Sequence, residues 1–141
     1  MPSKAFLRTL IVGMIVLGSV SVVVSLVTES LLPDPLRAYA EAEWEANLTG
    51  RDVVMLAVAI LVIIAWFVSC IGLFLFWRPA RILYLITITA GLLLTPLYGP
   101  YVDAGWGTMF EDAAVILSGV ILALVYLSPL KGLYEKPKLD R

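Results

Sequence analysis

The densest group of side chains that could do chemistry is the run "EAEWE", in which carboxylates surround a tryptophan. Clustered carboxylates can bind a cation, but this run lacks the ligand spacing of a calcium loop, so we expect no metal site. A surface tryptophan beside charges is typical of an anchor at a protein interface. We therefore predict a composite partner-binding surface from two hydrophilic loops, formed by Glu41, Glu43, Trp44, Glu45, Asp103 and Trp106. The alternative is that both loops only connect helices and that the tryptophans belong to an interfacial aromatic belt.

Other kinds of chemistry lack the residues they need. The chain has no histidine and one cysteine, Cys70. A disulfide within the chain and bis-histidine haem are excluded, and the usual zinc ligands and the commonest general base are missing. No charged residue lies in the middle of an apolar segment, where a proton relay or an ion-coupling site would need one. We expect no cofactor and no enzymatic activity, and the net charge of −1 gives no case for nucleic acid.

Apolar helices must position these residues. Of the 141 residues, 61% are hydrophobic and 15% charged, whereas about a quarter of a soluble domain is charged. A bilayer core of about 30 Å takes about 20 apolar residues in a helix. The segments near that length are 5–28, 53–77, 80–98 and 113–128. We predict a single all-α membrane domain over residues 1–141, an up-down bundle of four transmembrane helices. The first segment is too long for the apolar part of a signal peptide, so we expect a retained anchor.

Basic residues are unevenly divided between the two sides of such a bundle. The side with the termini has eight: Lys4, Arg8, Arg78, Arg81, Lys131, Lys136, Lys138 and Arg141. The other side has Arg37 and Arg51 and most of the acidic residues. The positive-inside rule then predicts that both termini and the tail 129–141 are cytoplasmic and that the loops 29–52 and 99–112 lie outside.

Short sequences predict the joints. "FWRPAR" turns the chain between the second and third segments, where Arg78 and Arg81 would be lipid headgroup anchors; a specific acidic-lipid site is the alternative. A helix cap with an acidic first turn at 49–52 would begin the second segment, and a capping box at 108–111 would begin the fourth. Asp34 before a proline would cap a short outer helix over 35–48.

Small residues recur four apart within the segments, which lets helix backbones approach closely. The pairs are Ser21 and Ser25, Ala65 and Ser69, Ala114 and Ser118, and Gly119 and Ala123. We expect them to pack the bundle internally, with a face for another protein as the alternative. An apolar stripe of Phe67, Cys70, Phe74 and Trp77 is interpreted as packing, with Cys70 buried, and not as a pigment or quinone pocket.

The segments "GLFLFWRPARILYL" (72–85) and "LSGVILALVYLSPLK" (117–131) resemble a family of small four-span bacterial inner-membrane proteins. That resemblance implies a bacterial inner membrane, with the acidic loops in the periplasm, and implies no activity. We expect a non-enzymatic protein that associates with another membrane or periplasmic protein, as an accessory subunit, an assembly or stability factor, or an immunity protein. The alternative is a homo-oligomeric channel or transporter for an ion or small uncharged solute, lined by Ser and Thr.

Overall fold

The computed structural model describes residues 3–45, 49–97 and 105–134. They form the helices α1 (Lys4–Thr28), α2 (Asp34–Glu45), α3 (Gly50–Phe74), α4 (Ala80–Leu94) and α5 (Gly105–Leu127). Short 3-10 turns follow at Glu29–Leu31, Thr95–Leu97 and Pro129–Tyr134. Among the described residues, four helical segments are long and apolar enough to cross a membrane: Lys4–Thr28, Gly50–Phe74, Ala80–Leu97 and Gly105–Leu127. This confirms that the described part of the chain is all-helical and has four candidate spans.

The long helices are arranged as two closely packed pairs, α1 with α5 and α3 with α4. In the first pair, α1 buries Leu7, Ile11 and Met14, which recur at helical spacing, against Ile121 and Val125 of α5. The pair also touches at its other end, where the Ser21 hydroxyl donates to the Gly107 carbonyl at 2.9 Å. Ser21 is therefore used for packing within the chain, as its small size predicts.

The second pair depends on a tight turn between α3 and α4. The Trp77 N–H donates to the Gly72 carbonyl at 2.7 Å and the Phe76 N–H to the Leu73 carbonyl at 3.1 Å. This is a Schellman motif, and its left-handed position is occupied by Phe76 with φ of 57° instead of the usual glycine. A Cβ at Gly72 would lie 2.6 Å from the Ala80 Cβ. The predicted turn is confirmed, and Gly72 lets the two helices close on it.

Charge is divided between the two ends of the molecule. The basic end, defined here by Lys4, Arg8, Arg78, Arg81 and Lys131, is where α1 and α4 begin and where α3 and α5 end. The acidic end, defined by Asp34, Glu41, Asp52, Glu111 and Asp112, is where α3 and α5 begin and where α2 follows α1. Within the described ranges, the carboxylates therefore lie at the end opposite to the basic cluster.

The predicted helix starts have different outcomes. The cap and acidic first turn predicted at 49–52 are confirmed: Thr49 is the N-cap of α3, and the Asp52 carboxylate accepts from the Thr49 N–H at 2.9 Å and from the Thr49 hydroxyl at 2.6 Å. The box at 108–111 is wrong: α5 begins at Gly105, so those residues lie inside the helix. The buried contact of Gly107 with α1 extends α5 beyond the apolar segment from which its start was predicted.

The start of α2, the helix predicted over 35–48, also differs from its prediction. The Leu36 and Arg37 N–H groups both donate to the Pro33 carbonyl, so Pro33 and not Asp34 occupies the N-cap position of α2. The helix continues to Glu45, and 46–48 lie outside the described residues.

Among the pairs of small residues predicted to pack the bundle, Ser69 and Ser118 are buried, but Gly119 is exposed and has no atom within 4 Å of its ideal Cβ.

We expect Gly72→Ala to lower the free energy of unfolding by about 2 kcal/mol, because the added methyl overlaps Ala80 and forces α3 and α4 apart. Gly18→Ala is the control, since nothing lies within 4 Å of its ideal Cβ. That substitution should be neutral or stabilising by about 0.5–1 kcal/mol. Denaturant or thermal unfolding in detergent measures both variants. Equal stability of the two would contradict the close approach at Gly72.

Candidate functional site

The two helix pairs meet at one buried sulfur. Met14 Sδ accepts a hydrogen bond from the Tyr84 hydroxyl at 3.2 Å and another from the Ser118 hydroxyl at 3.0 Å. Met14, Tyr84 and Ser118 belong to α1, α4 and α5, and all are at most 8% exposed. The contact therefore fixes α4 against α5 and α1 at this level of the bundle.

Towards the acidic end, α4 and α5 leave a groove between them. The α4–α5 groove has a volume of about 640 Å³. Its walls are mostly apolar, with Trp66 from α3, Ile88 and Leu92 from α4, and Val115 and Leu122 from α5. Such a volume lies within the usual range for a small-molecule site. In a membrane the same groove would open towards lipid.

Small residues line both sides of this groove. Gly91 of α4 and Gly119 of α5 both line it, and neither has an atom within 4 Å of its ideal Cβ. Glycine inside a helix costs about 1 kcal/mol relative to alanine. Contacts within the chain do not require glycine at either position. An element entering from outside the chain could therefore come close to both backbones.

The hydroxyl groups of the groove are bonded within their own helices. Thr87 donates to the Tyr84 carbonyl at 2.9 Å and Thr95 to the Gly91 carbonyl at 2.9 Å, and the single hydrogen of the Ser118 hydroxyl is shared between the Ala114 carbonyl and Met14 Sδ, both at 3.0 Å. These bonds satisfy the hydroxyls without water or solute. The charged residue of the lining is Glu111, an exposed carboxylate near the start of α5 at the acidic end. The groove is thus apolar along its length and negative at one mouth.

The basic end has a different arrangement, in which cations lie over aromatic rings. The Lys4 Nζ is 5.7 Å from the centre of the Phe76 ring, and the Arg8 guanidinium carbon is 5.2 Å from the same ring and 4.8 Å from Phe74. Arg8 Nε also donates to the Phe74 carbonyl at 3.2 Å. These contacts hold two cations of α1 against the end of α3.

A third cation lies deeper in the same cluster. The Arg81 guanidinium carbon is 5.6 Å from the Tyr126 ring and 5.6 Å from the Tyr134 ring. Its Nε and Nη1 are buried and have no hydrogen-bond partner among the described residues. The Tyr134 hydroxyl donates to the Leu73 carbonyl at 2.8 Å, and burial raises the pKa of Tyr134 to about 12 against the opposing effect of Arg81. Tyr134 is therefore a neutral phenol that ties the end of the chain to α3 at physiological pH.

The residues of the predicted docking surface are spread over several elements. Glu41 is exposed on α2, and Trp106 is 62% exposed in the first turn of α5. Glu43, Trp44 and Glu45 lie in α2, Asp103 lies outside the described residues, and the composite surface stays a prediction. Of the predicted headgroup anchors, Arg78 is exposed between α3 and α4, whereas Arg81 points part of its guanidinium into the protein.

Sequence reasoning missed the α4–α5 groove and the cation–aromatic cluster. A signal for the groove was present in Thr87, Gly91 and Thr95, which are small and recur four apart along α4 and the 3-10 turn that follows it. The cluster had no such signal, because Phe76 and Tyr134 are far apart in the chain and their rings are 5.6 Å apart only in the folded structure.

The residues of the predicted apolar stripe differ in their exposure. Cys70 is 1% exposed, whereas Phe67 and Trp77 are about half exposed.

Comparison with protein-family models, with curated proteins and with solved structures found no match to this chain. The resemblance of 72–85 and 117–131 to small bacterial inner-membrane proteins therefore stays a prediction. Within the part of the chain that the structure describes, no group of three or more Cys, Asp or Glu side chains is placed to hold a metal ion.

We expect Met14→Leu to destabilise the fold by about 1 kcal/mol, because the buried Tyr84 and Ser118 hydroxyls both lose the sulfur as an acceptor and keep only their bonds to each other and to the Ala114 carbonyl. The same substitution in a Tyr84→Phe background should cost clearly less, because no phenol is then present to lose that acceptor. Unfolding of the four proteins in detergent gives the coupling free energy of this double-mutant cycle. Additive effects would show that the sulfur does not join the two helix pairs.

Proposed function

We propose that this chain is a non-enzymatic, multi-pass protein of the bacterial inner membrane that works by association with another membrane protein. Its four spans form an up-down bundle with both termini in the cytoplasm. In this arrangement the basic end is cytoplasmic and the acidic end, with α2, faces the periplasm. The uneven distribution of Lys and Arg supports this orientation.

The observation that carries the proposal is the pair Gly91 and Gly119 in the α4–α5 groove, each with open space in front of it. Helices in lipid associate through close packing at small residues, because lipid tails are as apolar as the helices themselves. A transmembrane helix of the partner fits these walls better than a polar solute, since Thr87, Thr95 and Ser118 already bond within their helices. That same bonding gives no support to a pore lined by hydroxyl groups.

The mouth of the groove adds a requirement for the partner. Glu111 lies at the acidic end, where Asp112 and the exposed Glu41 also lie. A partner helix that leaves the groove there would be favoured by a basic or hydrogen-bond-donating residue near that end. The predicted surface of Glu41, Glu43, Trp44, Glu45, Asp103 and Trp106 would extend the contact beyond the membrane.

The test uses a photoreactive phenylalanine analogue at Leu92, which lines the groove, and at Ile86 as the control. Both positions are exposed on α4, at 66% and 57%, but Ile86 does not belong to the groove lining. The protein is produced at its natural level in its own membrane and irradiated there. We expect Leu92, and not Ile86, to crosslink to one transmembrane segment of a single second protein.

Filling the groove should weaken that association. Crosslinking identifies the partner, and native mass spectrometry then measures how much of it stays bound without a crosslink. We expect Gly91→Leu and Gly119→Leu to lower that bound amount about tenfold, as overpacking of roughly 1.4 kcal/mol requires. Gly18→Leu on α1 is the matched control, because it too meets nothing within 4 Å and lies outside the groove lining. Crosslinks from Leu92 to lipid alone would contradict the proposal. Crosslinks to a second copy, together with solute flux in liposomes, would favour a homo-oligomeric channel instead.

A further inference from the structure

We propose that the basic end binds an anionic phospholipid, whose phosphate lies at Lys4 and Arg8 and one of whose acyl chains lies in the groove between α1 and α3. This site is separate from the α4–α5 groove and does not depend on the proposed association.

Lys4 and Arg8 are one helical turn apart on α1 and are drawn to the same ring, Phe76. Arg8 is held further by its bond from Nε to the Phe74 carbonyl, which leaves the Nη nitrogens to act as donors elsewhere. Because both cations lie over one ring, 5.7 and 5.2 Å from its centre, these like charges repel each other. A phosphate between them would remove the repulsion and accept charge-assisted hydrogen bonds from both.

No carboxylate of the described residues is available to neutralise these cations. In the ranges 3–45, 49–97 and 105–134, the acidic residues lie after the end of α1 or in the first turns of α3 and α5, which is the opposite end of the molecule. Arg81 is a poorer headgroup ligand than Arg8, because its Nε and Nη1 are buried beside two tyrosines. The exposed Lys4 and Arg8 are therefore the cations that an anion reaches first.

The α1–α3 groove supplies the apolar half of the site. It has a volume of about 420 Å³, begins at Arg8, and continues along Val12, Gly13 and Val16 of α1 beside Phe74. From Arg8 to Val16 the helix rises about 12 Å, so the groove accepts a large part of an acyl chain that enters at the cations. A phospholipid combines a phosphate with such a chain, whereas inorganic phosphate shares only the first feature.

The test titrates the full-length protein in detergent with palmitoyl-oleoyl phosphatidylglycerol, with the matched phosphatidylcholine, and with inorganic phosphate, and counts bound ligands by native mass spectrometry. We expect the wild-type chain to prefer the anionic lipid about tenfold, the effect of one strong charge-assisted contact. Arg8→Gln should bring that preference close to unity. Arg51→Gln, at the acidic end, should leave it unchanged. If Arg8→Gln does not fold, Lys4→Gln tests the same site, since among the described residues the Lys4 ammonium has a ring contact only.

A second pair of variants tests the groove. Val12→Trp should weaken binding of both lipids about tenfold by filling the α1–α3 groove, whereas Val23→Trp, also exposed on α1 but outside that groove, should not. An unchanged preference in both Arg8→Gln and Lys4→Gln, or equal binding of the two lipids by the wild-type chain, would overturn the site. Binding of inorganic phosphate as tight as that of the anionic lipid, with no effect of Val12→Trp, would assign the cations to free phosphate and overturn the lipid.

Discussion

The contact at Met14 Sδ is the interaction on which the rest of the arrangement depends. Tyr84 of α4 and Ser118 of α5 both donate to this one sulfur of α1. Within a bilayer, apolar surface alone gives helices little reason to prefer each other over lipid, so specific polar contacts and close packing decide their positions. Where the sulfur joins the pairs, the bundle is closed; beyond it, towards the acidic end, α4 and α5 leave the groove that Gly91 and Gly119 line.

The turn between α3 and α4 fixes the opposite end. A left-handed backbone at a non-glycine residue costs about 1–2 kcal/mol, and Phe76 adopts it. Its ring is the compensation: it packs 5.6 Å from Tyr134 and lies under Lys4 and Arg8. The same residue thus ends the turn after α3, contacts both α1 and the 3-10 turn Pro129–Tyr134, and positions the cations that would bind a lipid phosphate.

Polar groups are used differently at the two ends and in the middle. Hydroxyls along the helices, such as Ser19, Thr95 and Ser118, bond to carbonyls one turn back, which avoids unsatisfied donors in lipid. At the basic end, aromatic rings support the cations, and at the acidic end the carboxylate of Glu111 stays exposed at the mouth of the α4–α5 groove. Within the described helices, no charged residue lies near the middle of a candidate span.

The sequence by itself determined the local features. Apolar runs predicted the four candidate spans, "FWRPAR" predicted the turn, the residue types at 49–52 predicted a helix cap with an acidic first turn, and Cys70 was expected to be buried. Each of these follows from residues close together in the chain, through helix hydrogen bonding, proline geometry and hydropathy. Only the tertiary structure decided the early start of α5 at Gly105, the exposure of Gly119, and the contact between the Phe76 and Tyr134 rings. Those features depend on which helix lies beside which, and a periodic apolar sequence looks the same whether it faces lipid or a neighbouring helix.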